Sequence, residues 1–392
     1  MPWQELVTMG IREEFVLRAQ APEANIAGLC REYGVSRKTG YKWLERFKEQ
    51  GLSGLEDLSR KPKESPLAVS GDVVAEVVAL RLAHPTWGSK KLGELVRRHL
   101  SPSEVPSRST IDRILKRAGL VQPGRRRQPA PPQSKRGAPQ VEVHGPNDLW
   151  TVDFKGWWLA MDSTRCEPLT IRDAFSRYVL RIEILPTSSV AAVMAVFEKV
   201  FTAYGLPKVI LTDNGPPFAS SHGLLGMTRL SAWWLSLGID HVRSRPGTPS
   251  DNGGHERMHR DMAAELERFA ALTRDKQQAA CERWRMDFNG VRPHEALGMK
   301  TPLDVYRQSK TRYLPGVQSE PEYPEGFHVR RVAKRGAVSW RRKQGFISQA
   351  LVQRSVGLEC TDVSGLYRVW FATKRLGTID FNKTPARLEP ES

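Results

Sequence analysis

Cysteine is scarce in this chain. Four occur in 392 residues, Cys30, Cys166, Cys281 and Cys360, and no CxxC pair is among them. That excludes a disulfide framework or a structural zinc site as the basis of the fold, and isolated thiols suit a reducing cytoplasm. Long apolar runs are missing as well. None approaches the ~18 residues of a membrane span, so no membrane partner is expected. The stretch MPWQELVTMGIREEF lacks the basic start and apolar core of a secretory signal. Acid is the third shortage. Asp and Glu number 43 against 60 Lys and Arg, a formal net charge of +17. Such an excess points to a polyanionic partner, with nucleic acid the foremost candidate.

What is present divides along the chain. ANIAGLCREYGVSRKTGYKWLERF (24–47) reads as two helices around a turn at Gly34. Ser36 is placed to cap the second helix. Gly40, Trp43, Leu44 and Phe47 face inward at helical spacing, leaving Arg37, Lys38 and Lys42 outside as candidate DNA contacts. This is a helix-turn-helix pattern, whose second helix would enter the major groove. Three further helices follow over about 71–120, and the last has a basic outer face that includes Arg108 and Arg113. They read as a second such unit or as a small helical spacer. VQPGRRRQPAPPQSKRGAPQ (121–140) has five prolines, five basic residues and no acid. It cannot build a core and reads as a linker, in which Arg125, Arg126 and Arg127 could track phosphates.

Beyond residue 145 the texture becomes α/β. NDLWTVDFKGWW (147–158), LTIRDAF (169–175) and YVLRIEIL (178–185) read as strands. SVAAVMAVFEKVFTAYG (189–205) reads as a helix, and LPKVILTDNG (206–215) as a short buried strand. Helices are expected near 229–237, 252–272 and 275–290. From about 326, short strands between Gly, Ser and Asp turns suggest a small β barrel.

Two acids stand out on the strands. Asp is depleted inside strands, yet Asp153 sits within one, on the face opposite Trp150, Val152 and Phe154. Asp213 follows Val209, Ile210 and Leu211 at the carboxyl end of a buried strand, the edge where open α/β sheets bind ligands. Taken alone, Asp213 is also an ordinary turn acid. SDNGGHERMHRDM (250–262) then opens a helix whose core face is Met258, Met262, Leu266 and Phe269. Glu256 and Glu265 both flank that face, and periodicity does not choose between them. Asp251 is placed to cap this helix and Asp261 to face solvent. Asp173 reads as structural, and Trp157 and Trp158 as core.

WTVDFKG, LTDNGPPF and NGGHERMHR together resemble the three-acid signature of the DDE insertion-sequence transposases of the retroviral-integrase superfamily. NGVRPHEALGMKTPLDVY (289–306) resembles the segment that follows the core in bacterial members. The resemblance implies a multidomain chain: α-helical helix-turn-helix domains (1–56 and 57–120), a basic Pro-rich linker (121–145), an α/β ribonuclease-H-like catalytic core (146–310) and a C-terminal small β barrel (311–392). It also implies that Asp153, Asp213 and Glu256 are catalytic and hold two Mg²⁺ or Mn²⁺ ions per active site. Hard oxygen ligands suit such ions. Double-stranded DNA would be the partner, as element ends and as target, with a homo-oligomer forming on it in a bacterial cytoplasm, associated with the nucleoid. Arg257, His259 and Arg260 would contact phosphate.

Two departures from the family pattern are visible. The interval from Asp213 to Glu256 is longer than usual, and 217–238 looks like an inserted loop and helix, which spares the active site if it projects from the surface. Ala263 stands where many relatives have a basic residue, which leaves Arg260 on that stripe. A catalytically silent, sequence-specific DNA-binding regulator derived from a transposase is the alternative reading. A nuclease acting on an RNA–DNA hybrid fits the helix-turn-helix units poorly.

Overall fold

The computed structural model describes residues 5–57, 69–121, 141–220, 223–245, 248–316 and 320–390. The chain separates into two compact units, Met1–Ala68 and Val69–Ser392. The first holds α1 (Glu5–Ala19), α2 (Ile26–Glu32) and α3 (Arg37–Gln50). Ser36 caps α3 by accepting from Thr39 N, as its position predicts. Gly34 links α2 to α3 at φ +64°, a conformation that side chains resist. Gly40 is buried because a Cβ there would lie 2.5 Å from Cys30 Sγ and 2.9 Å from the Phe15 ring. The helix-turn-helix core is thus Phe15, Val16, Cys30, Trp43 and Leu55, with Leu44 and Phe47 at its edge.

The second unit begins with α4 (Gly71–Ala83), α5 (Ser89–His99) and α6 (Arg108–Arg117), which close around Val77, Trp87, Leu92, Val96, Ile111 and Leu115. The expected strands follow as β1 (Leu149–Phe154), the short β2 (Trp158–Leu159) and β3 (Arg165–Cys166), β4 (Pro168–Asp173) and β5 (Val179–Ile184). Next come α7 (Val190–Tyr204), β6 (Val209–Thr212), α8 (Arg229–Ser236) and β7 (Asp240–Arg243), then α9 (Gly253–Met262), α10 (Arg274–Gly290) and α11 (Pro302–Val305). The main sheet has the order β5-β4-β1-β6-β7. β4 is antiparallel to β1 and β5, whereas β6 runs parallel to β1, and β7 to β6. This is the ribonuclease-H-like core. Val193, Phe197 and Phe201 of α7 pack on Trp150, Val152 and Ile210. α9 and α10 cover the other side, where Met258, Met262, Trp284 and Phe288 meet Val179, Ile182 and Ile184.

Three features depart from the sequence expectation. β7 is an added strand, because DHVR has no strand-like run of its own to predict it. The helix of the 217–238 segment does not project. α8 is buried along its length, with Leu230, Trp233 and Trp234 in the sheet core and Met227, Ala232 and Leu235 in the core of the C-terminal strands. It is the wedge between them. Finally, the helix expected over 252–272 stops at Met262 and continues as a π-helical turn, Ala263–Glu267, in which Arg268 N donates to Ala263 O at 3.1 Å. The wider turn slips the register. Met258, Met262 and Leu266 stay buried, but Phe269 is 71% exposed.

The C-terminal strands are β8 (His328–Arg331), β9 (Ala337–Trp340), β10 (Lys343–Phe346), β11 (Ser355–Cys360), β12 (Leu366–Phe371), β13 (Lys374–Asp380) and β14 (Ala386–Pro390). Their order, β8-β11-β12-β13-β14-β10-β9, makes a nearly closed, barrel-like sheet around Val338, Trp340, Leu358, Val369, Phe371 and Ile379. The four cysteines are free. No helix among the described residues is long and apolar enough to cross a membrane.

Candidate active site

β1 and β6 lie side by side, and each carries an acid at its carboxyl end. Asp153 is the penultimate residue of β1, with its side chain 21% exposed. Its Oδ2 accepts from Asn252 Nδ2 at 3.0 Å. No Lys or Arg among the described residues pairs with it. Burial, then the nearby charge of Asp213, raise its pKa to about 7; Glu256 adds to the shift, against the hydrogen bonds from Phe154 N and Asn252. Asp213 directly follows β6 and accepts from Gly215 N at 3.2 Å. It reaches the surface, yet partial burial raises its pKa too. Glu256 is exposed in the first turn of α9 and makes no ion pair among the described residues. The fold therefore brings Asp213 and Glu256 within electrostatic reach of Asp153. They converge without closing: among the described residues no group of three or more His, Cys, Asp or Glu is tight enough to hold a metal ion.

The main chain of both aspartates is braced in the same way. Thr170, opposite Asp153 in the β1–β4 register, donates from Oγ1 to Asp153 O at 2.9 Å. The same hydroxyl lies 2.9 Å from His259 Nε2 and 3.0 Å from His255 Nε2. A hydroxyl has one proton and two lone pairs, so both imidazoles are assigned as Nε2–H donors. Burial lowers the pKa of each, that of His259 to about 4, which keeps both rings neutral. His259 Nδ1 then faces Asp153 Oδ2 at 4.0 Å as a lone pair. At β6, Thr212 Oγ1 donates to Asp213 O at 2.9 Å and lies 2.9 Å from His241 Nε2. Burial lowers the pKa of His241 to about 4. Each threonine fixes an aspartate carbonyl without occupying the carboxylate.

The remaining acids are occupied elsewhere. Glu265, which periodicity left level with Glu256, accepts from Trp284 Nε1 at 2.5 Å and from Arg292 Nη1 at 3.3 Å, and also pairs with Thr86. Asp251 does not cap α9. It binds Arg245 at 2.6 Å, and Asn252 is the N-cap residue. Asp261 does not simply face solvent: it pairs with Arg292 at 2.9 Å. Asp173 is fully buried and accepts from Asn147 N and from Ser176 N and Oγ, a structural role as expected.

Among the expected DNA contacts, Arg37, Lys38 and Lys42 are exposed on α3, Arg108 and Arg113 on α6, and Arg257 and Arg260 on α9. His259 is turned inward, 13% exposed, against Thr170 and Asp153. Arg125, Arg126 and Arg127 lie outside the described residues. Trp158 is core, but Trp157 is 56% exposed, with the Arg165 guanidinium 5.0 Å from its ring. Sequence reasoning passes over Asn252, Thr170, Thr212 and His241. Their positions depend on strand register and on where α9 lands, and neither leaves a local pattern.

Comparisons with known proteins match the successive domains of the chain. Two models of the integrase core domain match residues 143–249 and 237–302. A helix-turn-helix domain matches 11–63, a homeodomain-like domain 39–115, and the C-terminal domain of IS481 family transposases 327–387. The chain is 27% identical over 266 residues to an uncharacterized protein of insertion element IS476 from Xanthomonas euvesicatoria, covering 67% of this chain and 72% of that protein. It is 28% identical over 238 residues to an uncharacterized protein of insertion element IS407 from Burkholderia multivorans, covering 58% and 80%. Among solved structures, the magnesium-bound catalytic core domain of HTLV-2 integrase aligns with 18% identity and a TM-score of 0.33, over 42% of this chain and 98% of that one. With helix-turn-helix units before an integrase core and a transposase domain after it, the chain belongs to the insertion-sequence transposases of the integrase superfamily, polynucleotidyl transferases that act on DNA.

Proposed function

We propose that the protein binds the terminal inverted repeats of its element, cleaves to expose 3′-hydroxyl ends and joins those ends to target DNA. One observation carries the reading: Asp213 after β6 and Glu256 on α9 both act electrostatically on Asp153 of β1, with no Lys or Arg among the described residues to neutralise it, in a chain of net charge +17. A desolvated carboxylate whose charged neighbours are carboxylates is suited to a cation. Hard oxygen donors select Mg²⁺ or Mn²⁺. Asp153, Asp213 and Glu256 would hold two such ions. Bound there, the ions supply Lewis-acid stabilisation to the attacking and leaving oxygens of an in-line displacement at phosphorus.

The chain's own residues do the rest. Asn252 orients the Asp153 carboxylate, and the Thr170 and Thr212 hydroxyls hold the two aspartate carbonyls. Arg257 and Arg260, exposed beside Glu256, are placed to take DNA phosphates. Arg37, Lys38 and Lys42 on α3, with Arg108 and Arg113 on α6, would position the repeat. In the division into 1–56, 57–120, 121–145, 146–310 and 311–392, the first three segments serve DNA recognition. Pairing two ends requires a multimer on DNA.

The test is purified protein with end-bearing DNA and Mg²⁺, read as joined products on a denaturing gel. Joining that survives Asp213→Asn overturns that residue's role. The open arrangement of the acids also fits a silent DNA-binding regulator. Sequence-specific binding with no metal-dependent nicking or joining would establish that reading instead.

A further inference from the structure

A cavity of about 840 Å³ lies in the second unit beneath the first turn of α9. Leu149 and Leu211 line it rather than Asp153 and Asp213, so it is separate from the acid cluster. Four cations surround it: Lys91 of α5, Arg172 of β4, Arg177 of the β4–β5 turn and Arg257 of α9. Its acids are already paired. Asp251 holds Arg245 at 2.6 Å, Asp261 holds Arg292 at 2.9 Å and Glu295 holds Lys90 at 2.9 Å. None of the four cations has a carboxylate partner among the described residues.

Arg172 is the most telling of them. Its residue is 6% exposed, and its Nε has no hydrogen-bond partner. α9 comes so close that a Cβ on Gly254 would collide with Arg172 Nη1, which explains a glycine inside the first helical turn. The cations also repel one another. Burial, then Arg292, with Arg257 among the further contributors, lower the pKa of Lys91 to about 8. Burial, then Arg177, lower that of Arg172 to about 10. His294, 9% exposed with Nε2 unpartnered, faces the same space. A desolvated guanidinium among other cations is unfavourable unless an anion joins it. Planar guanidinium groups match phosphate oxygens in a bidentate fork. Leu149 and Phe288 add apolar wall, and the volume exceeds what the anion alone requires.

We propose that this cavity binds a phosphate group, held by Arg172 from the sheet and by Lys91, Arg177 and Arg257 around it, with room for an attached organic group. The probe is inorganic phosphate titrated into the full-length, metal-free protein at constant ionic strength in chloride, followed by calorimetry and phosphorus NMR. The expected result is saturable binding at one site. Lys91→Ala with Arg257→Ala, both at the rim, should weaken it by roughly tenfold for each cation removed. Arg172→Met should abolish it while the circular dichroism spectrum stays unchanged. Absence of saturable binding, or binding untouched by the rim variant, overturns the proposal. A short single-stranded oligonucleotide identifies the source. Displacement of the bound phosphate assigns the site to the DNA backbone, and retention assigns it to free phosphate. No arm of the experiment uses DNA joining, so this inference and the transposition reading can fail separately.

Discussion

A carboxyl group held at a strand end beside other acids, with no cation in contact, resists ionisation. Asp153 has a pKa of about 7 in the folded chain, against about 3.9 when unfolded. Between about pH 4 and about pH 7 the unfolded chain releases a proton that the folded chain keeps. Stability therefore falls as pH rises through that window, by on the order of 4 kcal/mol, and levels off above it. Asp153→Asn should raise the melting temperature at about pH 8 while abolishing joining, and should change stability little near pH 4. Equal melting of the two proteins at about pH 8 would contradict the site's electrostatics. Mg²⁺ needs ionised ligands, so it should stabilise the wild type at about pH 8, have less effect at about pH 5, and leave the Asn variant nearly unmoved.

Thr170 belongs to the same scale. Thr170→Val would remove the acceptor of two buried imidazole N–H groups and the donor to Asp153 O. A loss of about 1–3 kcal/mol in urea unfolding is expected, with joining slowed about 10–100-fold. Thr170→Ser should recover most of both. Failure of serine to rescue the rate would show that the hydroxyl does not position Asp153.

At the scale of elements, periodicity is reliable for faces and weak for what each face meets. The inward positions of α3 are legible because a helix repeats its contacts every 3.6 residues. The burial of Gly40 against Cys30 and Phe15 follows from that spacing, and Gly40→Val should unfold the first unit and remove repeat binding in a gel-shift assay. α8 shows the weakness. AWWL marks the segment as apolar, but not that one side meets the sheet core and the other the terminal strands. Trp234 is fully buried there, so Trp234→Ala should cost about 3–5 kcal/mol; a near-zero change in denaturant midpoint would place α8 outside the core. The π turn is illegible for a similar reason. Glu265 is drawn to Trp284 and Arg292, partners 19 and 27 residues further along, and the helix yields to reach them.

For the whole molecule, charge is the governing quantity. The excess of +17 makes DNA affinity strongly salt-dependent. Neutralising Arg37, Lys38 and Lys42 together should reduce the slope of log affinity against log salt by about 0.9 for each phosphate that they no longer neutralise. A slope left unchanged would remove α3 from the interface. Arg292 ties the second unit together. Only 2% exposed, it pairs with Asp261 and Glu265 and stands 5.6 Å from the Trp87 ring, which joins the helical α4–α6 segment to the core. Arg292→Ala should destabilise by about 1–3 kcal/mol, because two partly buried carboxylates lose their cation.

Composition and local spacing by themselves established the basic excess, the helix-turn-helix pattern, the strand carrying Asp153 and the acid after β6. Only with the family resemblance did Glu256 separate from Glu265. Tertiary structure decided the rest. It engaged Glu265 with Trp284 and Arg292 and left Glu256 free, set Asn252 on Asp153, and braced both aspartate carbonyls with Thr–His pairs. It also gathered four unpaired cations around one cavity. The adjacent Thr212 and Asp213 aside, these hydrogen bonds join residues 17 to 99 positions apart. Strand register and the landing of α9 determine them, and local sequence pattern records neither.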